Sequence, residues 1–455
     1  MKYRSTRGGV SELSFKETVM MGLASDGGLL VPHVIPDVSD KLNAWTGSSF
    51  EQLAFNIMSE FIDDISDEDL KALLARSYSR FDHEKLTPLV SVDDFHVLEL
   101  FHGPTLAFKD IALQFLGNLF EHILAEEDRT LNILGATSGD TGSAAIEGIR
   151  GKSNINIFIL FPDGKTSPVQ EMQMTTVLDE NVFNISIDGS FDDCQRLMKN
   201  VFSDLEFKHE YKLGSVNSVN WARILAQIVY YFYAWFELGK PETFDVAVPT
   251  GNFGNIFAGY IARRMGLPIH KFILATNSND ILSRFFKSGI YKRGDVYFSE
   301  SPAMDIQISS NFERYLYYQL DCSPTKVKSF MKDFTESGSA TLPFNTSTFD
   351  EWFRTGSVSD EETLNTIRKI YEEQNYLIDP HTAVGIHIGR QLRSEGIPLV
   401  CLSTAHPAKF EDAIARALPG VAPHHPRLQA LVDLPTRKET MSADEESVKL
   451  FIQQH

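Results

Sequence analysis

Apolar residues follow two rhythms along this chain, and the switch between them divides it. Up to about residue 95 the apolar positions recur at three- and four-residue spacing, as over 50–61 and 67–78. That period puts side chains on one face of an amphipathic helix. A turn at Asp26-Gly27-Gly28 leads into a short apolar strand, Leu29-Leu30-Val31-Pro32. From residue 96 onward, short apolar-rich runs alternate with helical patterns. The runs 131–136, 155–161, 182–187, 244–248, 270–276 and 399–403 read as strands, 155–161 and 182–187 as buried ones, since they are too short for helices and are bounded by turn residues. Helices are predicted over 111–120, 143–150, 192–202, 220–238 and from 256 to Met265.

Strand–helix alternation implies right-handed crossovers and parallel or mixed sheets covered on both faces, an α/β fold. The expected organisation is a largely helical N-terminal accessory domain over 1–95, a smaller α/β domain over 96–225, a larger one over 226–435 and a C-terminal tail over 436–455. The tail carries the acidic run Ala443-Asp444-Glu445-Glu446 and at most a short amphipathic helix. Residues 336–347, rich in Ser, Gly and Thr, read as a surface loop, and no internal repeat is visible.

Composition narrows the function. A net charge of −19, from 42 basic against 61 acidic residues, argues against a nucleic-acid or anionic-membrane partner, because polyanions are repelled. An anionic substrate would need a local cluster of donors. Cys194, Cys322 and Cys401 are isolated and odd in number, which fits neither a disulfide framework nor zinc spacing and suits a reducing compartment. His102 and His381 lack partners at metal spacing, so no metal site is expected. No secretory signal core and no run of membrane-spanning length is visible, so the expectation is a cytoplasmic protein.

Candidate chemistry gathers where strands turn into helices, the places at which open α/β sheets bind ligands. In Phe101-His102-Gly103-Pro104-Thr105-Leu106-Ala107-Phe108-Lys109-Asp110 a single lysine ends an apolar run. Poor hydration lowers an ammonium pKa and makes a usable nucleophile and base; the alternative is an exposed lysine capping a loop. The loop Gly251-Asn252-Phe253-Gly254-Asn255 offers close backbone approach and a helix start, a plausible phosphate cradle, or simply a tight turn. Thr137-Ser138-Gly139-Asp140-Thr141-Gly142 supplies hydroxyls and amides for a substrate carboxylate, with Thr137, Ser138 and Thr141 as candidates, or an ordinary capping turn. In Leu402-Ser403-Thr404-Ala405-His406-Pro407-Ala408-Lys409 the hydroxyl of Thr404 suits a neutral ring nitrogen, and His406 reads as a turn histidine. Asn217, Ser218, Asn220 and Arg223, before and within a helix start, suit an anionic group, unless the arginine merely covers a helix face.

Together these elements resemble the threonine synthases of the longer bacterial and fungal branch, in the fold-type II pyridoxal-phosphate superfamily. The resemblance includes Ser5-Thr6-Arg7-Gly8, Asp26-Gly27-Gly28-Leu29, the stretch from His102 to Asp110, and the loops at 137–142, 217–223, 251–255 and 404–410. It implies two open twisted α/β sheet domains plus the accessory domain, and pyridoxal 5'-phosphate joined to Lys109 as an imine. Residues 251–255 would then hold the cofactor phosphate, and Thr404 would face the pyridine nitrogen. Relatives in the superfamily usually carry asparagine near the cofactor's ring oxygen, where this chain has Asp140. A carboxylate there would be repelled by a phenolate, so Asp140 would point away or share a proton. The implied reaction converts O-phospho-L-homoserine and water to L-threonine and phosphate. Lys109 serves as the repeated base, and Asn217, Ser218, Asn220 and Arg223 meet the substrate's anionic end. A related phospho-lyase or dehydratase releasing 2-oxobutyrate is the alternative, and a catalytically silent scaffold is a further one. A monomer is expected from the same resemblance.

Overall fold

The apolar runs become two mainly parallel sheets, each in its own compact unit. The computed structural model describes residues 1–137, 139–342 and 350–455. Its first unit comprises Met1–Leu74, Asp82–His102 and Ser218–Pro423, and its second Ala75–Phe81, Gly103–Asn217 and His424–His455.

In the first unit six strands run in the order Phe353–Ser357, Ile269–Thr276, Phe244–Pro249, Leu399–Ser403, Phe95–Glu99, Leu89–Val92. Neighbours are parallel except for the last pair, an antiparallel hairpin. Phe244–Pro249 is buried at every position, as a strand covered on both faces must be. Pro249 pairs with Ala275 and Ser403 with Glu99, so the loops after Pro249 and Ser403 leave from the carboxyl edge of this sheet. Val97, Ala247, Ile273, Val384, Ile388 and Cys401 form part of the core beneath them.

The N-terminal residues share this unit instead of standing apart. Trp221 explains why: its ring lies 6.0 Å from that of Tyr3 and 5.9 Å from that of Phe61. Phe50 likewise meets Tyr233 at 5.4 Å. Aromatic burial on the helix Trp221–Glu237 thus ties residues 1–74 to the large sheet.

The second unit holds five parallel strands in the order Glu439–Ser442, Val182–Asp188, Ile155–Pro162, Leu131–Ala136, Leu213–Gly214. Helices Phe191–Ser203 and Glu445–Gln453 cover it through Leu134, Phe158, Ile185, Leu197, Val448 and Ile452. The segment expected as an acidic tail therefore supplies an edge strand and a packed helix. Its acidic residues cap that helix and fill its first turn, where negative charge opposes the helix dipole favourably. The expected boundary at 96 also shifts, because Phe95–Glu99 pairs with Leu399–Ser403 in the larger sheet. Within 336–347, the helix Pro324–Ser337 runs on and Ser339–Thr341 pairs with Ile290–Lys292; 343–347 lie outside the described residues.

Helices Lys109–Glu126 and Asp140–Ile149 cross at backbone contact. A Cβ on Gly117 would collide with the Gly148 carbonyl oxygen and lie 2.7 Å from its carbon. One on Gly148 would lie 2.5 Å from the Leu113 carbonyl oxygen. No helix among the described residues is long and apolar enough to cross a membrane.

Candidate active site

In the second unit, Lys109 is the first residue of its helix and its side chain is 12% exposed. The turn before it is built around Asp110, which is fully buried and accepts from the Thr105 amide at 2.8 Å and the Thr105 hydroxyl at 2.7 Å. Leu106 adopts left-handed backbone, φ 61°, a conformation a branched side chain takes only when its surroundings impose it. Gly103 is required there, since a Cβ would stand 2.5 Å from that of Asp110. Lys109 Nζ lies 3.5 Å from Asp140 Oδ2 and 5.5 Å from the centre of the Phe108 ring.

Asp140 begins the neighbouring helix, and its other oxygen accepts from Gln170 Nε2 at 2.8 Å. Its carboxyl group thus faces the lysine nitrogen and an amide. Gly139 leaves room for this, as a Cβ would come within 2.5 Å of Gln170 Cδ. The Thr137 hydroxyl accepts from the Gly139 and Gly142 amides at 3.1 and 3.0 Å, so it braces the loop that carries Asp140. Thr141 is partly exposed on the same helix, and Ser138 lies outside the described residues.

In the first unit, Phe244–Pro249 runs through Thr250 into the loop 251–255 and the helix Gly254–Arg264. Phe253 is left-handed, φ 62°. Its buried ring is held 5.6 Å from Phe312 and 5.5 Å from Tyr315, which fixes the turn. The helix has no side-chain cap. The loop carbonyls are turned away by Ser309-Ser310-Asn311, residues not singled out in the sequence. Ser309 Oγ donates to Gly251 O at 2.8 Å, and Asn311 donates to Asn252 O from its amide at 3.0 Å and its side chain at 3.1 Å. Ser310 Oγ meets Asn252 Oδ1 at 3.1 Å and Ser218 Oγ at 2.9 Å, so Ser218 joins this cluster. Arg314, fully buried, donates to Asn311 Oδ1 and to the carbonyls of Val219 and Leu30.

With its acceptors tied back, the loop leaves helix-start amides and the Asn255 side chain as donors. Asn255 is 8% exposed, and its Nδ2 has no hydrogen-bond partner among the described residues. An orphan donor at a helix N-terminus fits an anionic oxygen, such as that of a phosphate ester.

Thr404 follows the strand Leu399–Ser403 and is 7% exposed. Ser403 Oγ lies 2.9 Å from Thr382 Oγ1, which donates to the buried carboxylate of Asp379. Asp379 caps the helix Pro380–Leu392 and meets His381 Nδ1 at 2.9 Å, while His381 Nε2 accepts from the Ala303 amide at 3.2 Å. That pair of contacts sets the tautomer with the proton on Nδ1. His406 is a turn residue, its Nδ1 accepting from the Ala408 amide at 3.1 Å. Among the described residues no three His, Cys, Asp or Glu side chains gather to hold a metal ion.

The expected substrate group divides at the unit boundary, which falls between Asn217 and Ser218. Asn217 donates to Ser215 Oγ at 3.1 Å. Asn220 is 1% exposed; its oxygen caps the helix through the Ala222 amide and its nitrogen donates to Val19 O at 2.9 Å. Its amide therefore serves the fold, and this differs from the binding role expected for it. Arg223 is 4% exposed rather than spread over a surface, and burial lowers its pKa to about 10.

Residues 2–78 match the family "Threonine synthase N terminus", 81–398 "Pyridoxal-phosphate dependent enzyme" and 382–452 "Threonine synthase, C-terminal". The chain is 48% identical to threonine synthase of Schizosaccharomyces pombe over 95% of its own length and 92% of that protein. To the Pseudomonas aeruginosa threonine synthase it is 46% identical, over 100% and 98%. The crystal structure of PLP-bound threonine synthase from Brucella melitensis superposes with a TM-score of 0.97 at 44% identity, over 100% of this chain and 99% of that one. The chain therefore belongs to the threonine synthase family of pyridoxal-phosphate-dependent enzymes.

Proposed function

We propose that this chain converts O-phospho-L-homoserine and water to L-threonine and phosphate, with Lys109 as the residue that carries pyridoxal 5'-phosphate and moves the protons. The observation that carries the reading is the placement of Lys109: the first residue of a helix, shielded, with Asp140 3.5 Å from its nitrogen. Residues 251–255 would take the cofactor phosphate through backbone amides and Asn255, and Thr404 would present its hydroxyl to the pyridine nitrogen. When bound, the cofactor supplies a conjugated ring that takes up charge from the substrate's α-carbon.

The chain's own residues supply the rest. Lys109 Nζ takes the proton from the α-carbon, passes it on, and takes one from the β-carbon as the γ-carbon–oxygen bond breaks and phosphate leaves. The γ-carbon then gains a proton, water gives its hydroxyl to the β-carbon and its remaining proton to phosphate, and the α-carbon is reprotonated. A base used repeatedly works best with a pKa near the operating pH. Asp140, fixed by Gln170, holds the amine in place and lies close enough to share its proton, which gives the carboxylate a role beside the lysine. Arg223 and Ser218 are proposed to meet the substrate's anionic end, and Thr141 its carboxylate. Exclusion of water until the last step requires closure around the substrate. The protein is further proposed to act on its small-molecule substrate as a cytoplasmic monomer.

The test is product analysis on purified protein. Phosphohomoserine should yield threonine and phosphate in equal amounts, and Lys109→Ala should abolish both turnover and the visible band of bound cofactor. Accumulation of 2-oxobutyrate instead of threonine would overturn the reading.

A further inference from the structure

We infer that Tyr230 and Tyr231 are positioning residues for the cofactor's phosphate, because together they hold the Asn255 amide with its nitrogen turned toward the anion. Tyr230 Oη lies 2.6 Å and Tyr231 Oη 2.9 Å from Asn255 Oδ1, and Tyr231 Oη is also 2.8 Å from the Asn255 carbonyl. An O–H···O bond is comfortable at 2.6 Å, whereas N–H···O bonds begin at about 2.7 Å. Tyr230 thus donates to Oδ1 in preference to Gln227 Oε1, which is 3.3 Å away, and Tyr231 shares its single proton between Oδ1 and the Asn255 carbonyl. With both phenols on the oxygen, Nδ2 is left as a buried donor without a partner among the described residues.

Both tyrosines are buried, at 0% and 1% exposure. Burial raises both phenols well above their ordinary pKa, so each keeps its proton and stays a donor. They are successive residues of the helix Trp221–Glu237, about 100° apart around its axis, and so reach Asn255 from two directions. Gly259, one turn beyond Asn255, closes the arrangement: a Cβ there would stand 2.6 Å from Tyr231 Cε1. Nothing in this geometry needs a hydroxyl for packing alone, since a phenylalanine would fill the same space.

The inference rests on the reading of 251–255 as the phosphate loop, and a double-mutant cycle separates the two. The full-length chain is freed of cofactor, and the dissociation constant for pyridoxal 5'-phosphate is measured by equilibrium dialysis, with the 31P shift of bound cofactor as a second readout. Tyr230→Phe should raise the constant about tenfold, the loss of one well-oriented bond to a charged acceptor. Asn255→Ala should raise it at least as much, and Tyr230→Phe should then add nothing. Asn255→Asp, which puts an oxygen in place of the donor, should be worse than Asn255→Ala. Unchanged affinity in Asn255→Ala defeats the loop reading. Weakened affinity in Asn255→Ala with parental affinity in Tyr230→Phe, or an equal effect of Tyr230→Phe in both backgrounds, defeats the tyrosine role alone. If Tyr230→Phe does not fold, Tyr231→Phe takes its place in the same cycle.

Discussion

Replacing Gly117 by alanine sets two effects of opposite sign against each other. Alanine in a helix interior is favoured over glycine by about 1 kcal/mol. Against this, the new Cβ would strike the Gly148 carbonyl, lying 2.7 Å from its carbon, where about 3.5–4.0 Å is comfortable. Both groups are backbone, so no rotamer change relieves the contact, and the helices must part by roughly 1 Å. Overpacking of this kind costs about 1–3 kcal/mol, and the clash should win.

The crossing lies eight residues from Lys109 along one helix and eight from Asp140 along the other, about 12 Å each. A rigid separation would carry to the helix starts and stretch the 3.5 Å gap between Lys109 Nζ and Asp140 Oδ2 beyond hydrogen-bond reach. Scanning calorimetry of the full chain should show the second unit melting roughly 2–8 °C lower, and turnover should fall with it. Unfolding at the parental temperature or above would mean that propensity prevails and that backbone contact does not set the helix spacing.

Three further outcomes follow from the same geometry. Gln170→Leu leaves Asp140 Oδ1 without its 2.8 Å donor, and turnover should drop about tenfold or more; unchanged steady-state kinetics would remove Gln170 from the cluster's support. Arg223→Ala should raise KM for phosphohomoserine at least about tenfold while the absorbance of bound cofactor stays constant, because the guanidinium, near pKa 10, remains charged at neutral pH; an unaltered KM would refute it. Burial raises the Asp26 pKa, but hydrogen bonds from Ser5 and the Gly28 and Gly9 amides lower it more, so the net shift is downward. Its stabilisation is therefore present above the ordinary aspartate pKa of about 3.9 and is lost as pH falls through the lower folded value. Denaturant titrations of Asp26→Asn should lose that acid-side dependence, and identical pH profiles for variant and parent would contradict the assignment.

Much of the core of both sheets was legible in the sequence, because period and turn chemistry are local properties. Leu131–Ala136, Phe244–Pro249 and Leu399–Ser403 are short, mostly apolar runs, broken only by Asn132, Gly135 and Asp245, and each leads into a loop of small and polar residues. Short strands at or next to a sheet edge were not legible. Phe95–Glu99, Phe353–Ser357 and Glu439–Ser442 mix polar and apolar residues, and each is a strand only because a neighbour offers its backbone.

The sequence by itself determined which residue types stand at each sheet tip: one lysine before a helix, a glycine loop after a strand, a hydroxyl after another. Only the tertiary structure decided what those groups meet. Gln170 reaches Asp140 from 30 residues away, Asn311 reaches Asn252 from 59, and Tyr230 reaches Asn255 across an intervening strand. Such pairs follow from how strands order in a sheet and how helices cross it, and neither leaves a periodic trace along the chain. The same holds for Asn220, a polar residue beside a helix start that sequence alone could assign to a ligand. Its burial and its bond to Val19 O place it in the framework, because a side chain's donors and acceptors go to whatever the fold brings within 3 Å.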